Sequence, residues 1–574
     1  MESLTGQKRW QLARPAPAQV ERLRSQLGCS PTFACLLALR AADRDPDLFL
    51  HNDLGSLGSP WQLKGMAEAT QRIVQALQAG ERIFIHGDFD VDGLTSSAML
   101  YRALRALGGR TIKVEIEDRR RGHGLNQVIA ERIAAEGFQL LITTDCGSSD
   151  VKPIRRLQQA GVEVIVTDHH RTPEVLPAAV ALINPQQPGC SSPPSRLAGV
   201  GVAYQLVRAL YERLGRTAEL GERYLDLVMF GTVADLVPLV QESQAENKIL
   251  VANGLRLLAR GEGSLGLRVL LKVLRLDPTR LSTADLGYIV APKLNAANRV
   301  GDPRVAFLLL TTEDPARAEY LTEVLLDYNA DRRLAQENLR DQALALAGQE
   351  FDRQRDRIII LSGQGWNPGV IGLVASALVD RFYLPTILIA QGEKIVRGSG
   401  RSIREFNLVA ALSRVQHLFQ RYGGHQMAAG FSIANENIPA LKEELGAYAR
   451  RELADLEAPT GRIDAVLQAD EINLELYEEL QRLAPFGVGN PEPRFLLPQA
   501  QLIEAHAVGA DGRHLKLQLA AAQRHLEAIG FNMAELLPQL GSGQLLNPVF
   551  KLSRNDWRGH ARVELELEDL LAAD

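Results

Sequence analysis

Residues 82–93 read RIFIHGDFDVDG, and the reading of this stretch governs the rest. The apolar run Ile83-Phe84-Ile85 breaks at once into His86, Asp88, Asp90 and Asp92, alternating with Gly87, Phe89, Val91 and Gly93. Carboxylates this close repel, and they raise one another's pKa unless a positive charge lies between them. The stretch is either a solvated acidic turn or a cation holder. A short apolar run that ends in polar residues reads as a buried parallel strand. Two later runs have the same form: LLITT before Asp145, and VEVIV before Asp168-His169-His170. A further acidic position, Asp235, sits in GTVADLVPL. Helical patterns lie between, such as TSSAMLYRALRALGG, which closes on Gly108-Gly109 as a helix C-terminus should.

Alternating strands and helices predict a doubly wound α/β domain over residues 61–312. The carboxyl ends of its parallel strands would face one crevice, where residues distant in sequence meet. Carboxylates with imidazole suit Mn²⁺ or Mg²⁺ better than a thiolate-loving metal. Several shared carboxylates predict two ions, the arrangement that serves phosphoryl hydrolysis. A lone DxD turn is more often a capped, solvated loop. Three acidic strand ends in one domain, two carrying histidine, favour a cation clamp.

The 574 residues predict three or four domains, and 46% hydrophobic with 23% charged residues is an ordinary globular mixture. A net charge of -5 excludes a protein that coats nucleic acid over its whole surface, but leaves room for a local basic face. Cys29, Cys35, Cys146 and Cys190 form no CxxC pair, as expected of a reduced intracellular chain. The first residues have no apolar signal region, and no apolar run nears the ~20 residues of a membrane span. A cytoplasmic location without a membrane partner is expected.

Residues 1–60 mix short helical patterns with Pro and Gly and read as an N-terminal arm on the following domain. Residues 241–312 read as mostly helical. Asp314 as cap and Pro315 in the first turn then predict a connecting helix over 313–350. A second α/β pattern covers 351–455, with DRIIILSG, GVIGLVASALVDRF and LPTILIA. Residues 460–574 turn to period-two alternation, as in HLKLQL (Leu515, Leu517, Leu519) and RVELELEDL (Val563, Leu565, Leu567), and predict a small antiparallel barrel. Between Arg381 and Gly430, seven basic residues (Arg381, Lys394, Arg397, Arg401, Arg404, Arg414, Arg421) face only Glu393 and Glu405. Gly398, Gly400, Gly423, Gly424 and Gly430 let backbone approach a ligand there, and arginine with exposed N–H groups suits phosphate.

HGDFDVDG, TTDCG, TDHH and GTVADLVPL, in this order, resemble the motifs of the DHH phosphoesterase superfamily, named for the triplet at 168–170. With APKLNAANRVGD, WNPGVIGLVAS, VRGSGRSIREFNL and RYGGHQMAAGF, the chain is similar to the RecJ family of bacterial single-strand-specific DNA exonucleases. The resemblance implies a DHH domain, a DHHA1-like substrate-binding domain and an OB-like barrel. It implies 5′-to-3′ hydrolysis of single-stranded DNA in repair or recombination with Mn²⁺ or Mg²⁺. It also implies a monomer, with a single-strand-binding protein or helicase as partner. Carried over position by position, it makes Asp90, Asp92, Asp145, His169 and Asp235 metal ligands, with Asp145 bridging. His86 stands where simpler relatives use a metal-binding histidine. His170 would face the scissile phosphate, Asp88 would orient a ligand, and Asp168 would cap a helix or orient His169. Arg401, Ser402, Gly424 and His425 would bind substrate. Phe495, Phe550 and Trp557, with Lys516, Lys551 and Arg554, are open between strand binding and ordinary core or surface.

Three departures stand out. His123 replaces the usual Tyr, Asn298 replaces Gly where a left-handed backbone would tolerate it, and the residues after Gly147 are polar. Two other readings remain. One is a DHH phosphodiesterase for very short oligonucleotides or cyclic dinucleotides. The other is a catalytically inactive relative serving as a replication scaffold, which retention of all five ligands disfavours. A manganese pyrophosphatase fits poorly, since its second domain lacks GGHQMAAG.

Overall fold

The computed structural model describes residues 3–4, 8–41, 45–119, 124–190, 196–241, 244–392, 396–557 and 560–573. His123, Glu393 and Lys394 lie outside these residues, as does the side chain of Trp557. Among the described residues, no helix is long and apolar enough to cross a membrane.

Five parallel strands form the first sheet, in spatial order Ile112–Ile116, Ile83–Gly87, Leu140–Thr144, Glu163–Thr167 and Ala181–Ile183. In chain order this is 2-1-3-4-5, so the topological switch point falls between the strands ending at Gly87 and Thr144. Ile83 and Ile85 pack into the core of one face, while Phe84 packs into that of the other. That alternation is why the apolar run is continuous.

The helix Pro315–Glu350 joins the lobes, capped by Asp314 through the N–H groups of Ala316 and Arg317. Its 36 residues span about 54 Å. Leu321 and Leu325 enter the core of the first lobe, and Leu339, Ala343 and Ala347 that of the second. The second lobe has a mixed five-stranded sheet ordered Phe419–Gly424, Ala428–Ile433, Val396–Arg401, Thr386–Gln391 and Ile359–Gln364.

The C-terminal strands Ala500–Val508, His514–Ala521, Arg524–Gly530, Leu545–Trp557 and His560–Ala572 close into a barrel. Leu515, Leu517 and Leu519 point inward, as their spacing predicts. Phe495 and Phe550 are fully buried core residues. The barrel's cations are occupied as well: Lys516 pairs with Glu564, Lys551 with Glu568, and Arg554 with Asp556.

The N-terminal arm lies on the following domain only in its last part, where Leu54 and Leu57 join that domain's core and Lys248 Nζ donates to Phe49 O; its first part packs elsewhere. Strand Arg9–Leu12 runs parallel to Thr460–Ile463, and the buried Trp10 Nε1 donates to Asp569 Oδ2 at 2.7 Å. Phe33, Leu36 and Leu37 of helix Pro31–Ala41 share the barrel's apolar core rather than that of the adjacent domain. Adjacency in sequence suggested the neighbour; the apolar face went to the surface that could cover it. Phe33→Ala should cost about 3–5 kcal/mol in the arm–barrel body. Its melting transition should fall while divalent-ion binding is unchanged, as calorimetry with and without Mn²⁺ would show.

Candidate active site

Strand ends deliver most of the site. Asp88 and Asp90 follow Gly87, Asp145 follows Thr144, and Asp168 to His170 follow Thr167. Asp90 is also the N-cap of helix Val91–Ala106, accepting from Asp92 N at 2.9 Å and Gly93 N at 3.1 Å. Asp92 sits within the helix's first turn, where both oxygens meet the N-terminus of helix Gly199–Arg213. Oδ2 accepts from Gly199 N at 2.6 Å and Oδ1 from Val200 N at 2.7 Å. Gly199 cannot carry a side chain, because a Cβ there would lie 2.5 Å from Asp145 Oδ1. Asp235 arrives from the opposite pole of a helix, at the C-terminus of the buried Leu225–Ala234. A carboxylate at that negative end is unfavourable without a cation.

Three overlapping groups of ligand atoms result here, each within 4.8 Å: Asp88, Asp90 and Asp145; Asp92, His169 and Asp235; and Asp145, His169 and His170. His169 Nε2 stands 3.1 Å from Asp145 Oδ1, 3.6 Å from Asp235 Oδ2 and 3.8 Å from Asp92 Oδ2. Asp145 therefore lies between the groups, with its backbone in the left-handed region (φ 62°). Strain of this kind is kept where the surroundings fix it, typically at functional sites.

Buried and crowded, these carboxyls need either protons or a cation. Burial, then the neighbouring carboxylates, pushes Asp90 up to about 6, Asp92 to about 7 and Asp235 to about 9, and lifts Asp145 well above the usual range. Asp235, which no backbone N–H compensates, rises furthest among those three. Burial lowers His169 to about 4, which leaves its imidazole neutral and able to act as a ligand. Asp145 Oδ1 and His169 Nε2 are buried without a hydrogen-bond partner. Hard carboxylate oxygens, one neutral imidazole and two orphaned atoms suit Mn²⁺ or Mg²⁺.

Other expected residues fall elsewhere. His86 faces away from the carboxylates, with its Nε2 3.3 Å from Glu117 Oε1 and the Cys146 thiol nearby. Asp88 stands in its place beside Asp90. Asp168 orients His170 rather than His169: its Oδ1 lies 2.8 Å from His170 Nδ1 and accepts from the N–H groups of residues 169 and 170. Its carboxyl lies well below the usual range despite burial, held there by His170. Asn298 is helical, not left-handed, and its Nδ2 donates to Phe89 O at 2.7 Å, bracing the acidic turn.

The second lobe faces the site with arginine. Arg401 is held by Ser399 Oγ and Gly400 O. Burial, then Arg119, depresses its pKa, so the two guanidiniums are close. Arg299, depressed to about 9 by burial, feels Arg119, Arg332, Arg401 and Asp90. Sequence reading missed Arg119 and Arg299, although Arg299 lies in the quoted APKLNAANRVGD. His425, exposed in the turn between the last two strands of this lobe, adds its charge to the field at His169. Gly424 permits that turn, since a Cβ would meet Ala428 O at 2.4 Å. Ser402 is turned inward, with its hydroxyl on Phe406 O. Of the other cations in the basic window, Arg414 stacks over Tyr448 and Arg381 over Phe382.

The DHH family N-terminal domain matches residues 82–232, the DHHA1 domain 355–451 and the RecJ OB domain 463–569. The single-stranded-DNA-specific exonuclease RecJ of Bacillus subtilis is 36% identical over all of this chain and 72% of its own length. The chain belongs to the RecJ family. The Escherichia coli RecJ is 33% identical over 89% of this chain and 91% of itself. The crystal structure of Thermus thermophilus RecJ with Mn²⁺ superposes with a TM-score of 0.83 at 32% identity, covering 99% of this chain and 80% of that one.

In the metal-free protein the raised carboxyls keep protons that the unfolded chain has lost above about pH 4, so stability falls as pH climbs towards 9. Added Mn²⁺ should therefore raise the melting temperature more at pH 8.5 than at pH 5. Asp145→Ala should abolish that shift without lowering the melting temperature of the metal-free protein. Scanning calorimetry with Mn²⁺ and with chelator checks both.

Proposed function

We propose that this chain is a Mn²⁺- or Mg²⁺-dependent exonuclease that hydrolyses single-stranded DNA from its 5′ end, using two ions. The observation that carries the reading is a cluster of guanidiniums set beside a cluster of carboxylates. Asp88, Asp90, Asp92, Asp145, Asp235 and His169 form the one; Arg119 and Arg299, from the same lobe, and Arg401, from the second lobe, form the other. The first cluster would hold the ions, with Asp145 shared. Bound there, they supply an ionised water and neutralise charge on the phosphorus oxygens. The guanidiniums suit a phosphate, and a terminal phosphate held there would set which end enters. His170, with Nδ1 on Asp168, is held in one orientation at the rim and can hold or release a proton beside the scissile phosphate.

A family-level alternative, a phosphodiesterase for dinucleotides, has the same metal chemistry and differs in substrate length. An end-labelled single strand incubated with Mn²⁺, then with chelator, tests the reading. Release of labelled mononucleotide only with the metal, and only from the 5′ label, is expected. A labelled strand left intact while a dinucleotide is cleaved would favour the alternative. Arg401→Ala should raise KM about tenfold or more with bound metal unchanged. Loss of metal at constant KM would make Arg401 a structural residue.

A further inference from the structure

The connecting helix has a polar middle. Between Leu325, in one lobe's core, and Leu339, in the other's, it presents Arg332, Arg333 and Gln336 to a groove of about 310 Å³. The opposite wall is the start of helix Ala291–Val300, with Lys293, and the preceding π-helical turn Asp285–Val290, with Tyr288. Such turns recur at functional sites. Tyr288 is 84% exposed and makes no hydrogen bond or ring contact with any described residue. An aromatic ring left in water at the mouth of a basic groove has no structural role of its own.

The groove's charge continues that of the active site. Burial, then Arg332 and Arg333, depresses Lys293. Arg332 in turn acts on Arg299, which feels Asp90 of the metal cluster. Lys293 and Arg299 share one helix, about 9 Å apart along its axis. Arg332 spends two nitrogens on Gln336 and Asn329, while its buried Nε has no partner. Glu337 is the one acid on the wall, 3.9 Å from Arg333. Cations spaced along a groove beside an exposed ring are the means by which proteins hold a single strand: phosphates on the charges, a base on the ring.

We infer that this groove is a second substrate subsite, which binds the phosphates of a single nucleic-acid strand through Lys293, Arg332 and Arg333 and stacks one base on Tyr288. It rests on the exonuclease reading for its polymer and adds a place where that polymer is held away from the metals. In the barrel the candidate rings Phe495 and Phe550 are buried and Lys516, Lys551 and Arg554 are paired with acids, while the exposed Phe531 packs edge-on against His514.

The test separates binding from hydrolysis. Binding of a fluorescent oligothymidylate of about 20 nucleotides is measured in chelator at fixed salt, on the full chain with Tyr288 as Ala, Phe or Leu. Tyr288→Ala should weaken binding about tenfold, Tyr288→Phe should restore it, and Tyr288→Leu should not. Lys293→Ala should flatten the logarithmic salt dependence by about 0.7. Hydrolysis of a dinucleotide with Mn²⁺ should be unchanged in the Tyr288 variants. The inference is overturned if Tyr288→Ala binds as tightly as the native chain, if Leu restores binding as well as Phe, or if the dinucleotide suffers equally. If the variants behave as expected but the native chain releases no nucleotide with Mn²⁺, the subsite stands and the exonuclease reading falls.

Discussion

Five carboxylates crowd one spot, Asp92, Asp145 and Asp235 around His169 with Asp88 and Asp90 beside Asp145, and their mutual repulsion is the constraint around which the rest is arranged. Each reaches the spot by a different route: two beyond one strand, one beyond the next, one inside a helix and one at another helix's end. Part of the repulsion is offset by backbone dipoles, since Asp90 and Asp92 accept four N–H groups between them. Asp145 Oδ1 has no hydrogen-bond partner and Asp235 stands at a helix C-terminus, so for these two a proton or a cation must offset the charge.

The fold was legible where local pattern determines it. The buried strands ending in acid, the helix beginning at Asp314 and the inward leucines of the barrel all stand as their spacing implies. The site was legible to the extent that strand ends converge in an open parallel sheet. What could not be read was orientation. His86 and Asp88 are two residues apart in an extended segment, and sequence gives no sign that the first turns to Glu117 and the second to Asp90. Arg119 and Arg299 were equally hidden, because they meet across 180 residues of the first lobe and reach Arg401 only through the second. Asn298 shows the same limit: its helical backbone and its bond to Phe89 are tertiary facts.

Opposite charges are brought together where the lobes meet. The first lobe holds the acid at a sheet's switch point together with Arg119 and Arg299, and the second adds Arg401. A phosphodiester backbone is attracted by the guanidiniums and, through cations, by the carboxylates. Overall net charge says nothing of this, because a chain at -5 can hold both fields at once.

The joining of the chain's two ends bears on how the protein is made. Helix Pro31–Ala41 leaves the ribosome about 420 residues before the strand Thr460–Ile463 beside which its partners gather. At ordinary elongation rates that interval is about 20–80 s. Meanwhile the metal-binding lobe and the second lobe can each complete their cores from contiguous sequence. The earliest apolar segment is thus among the last to be buried.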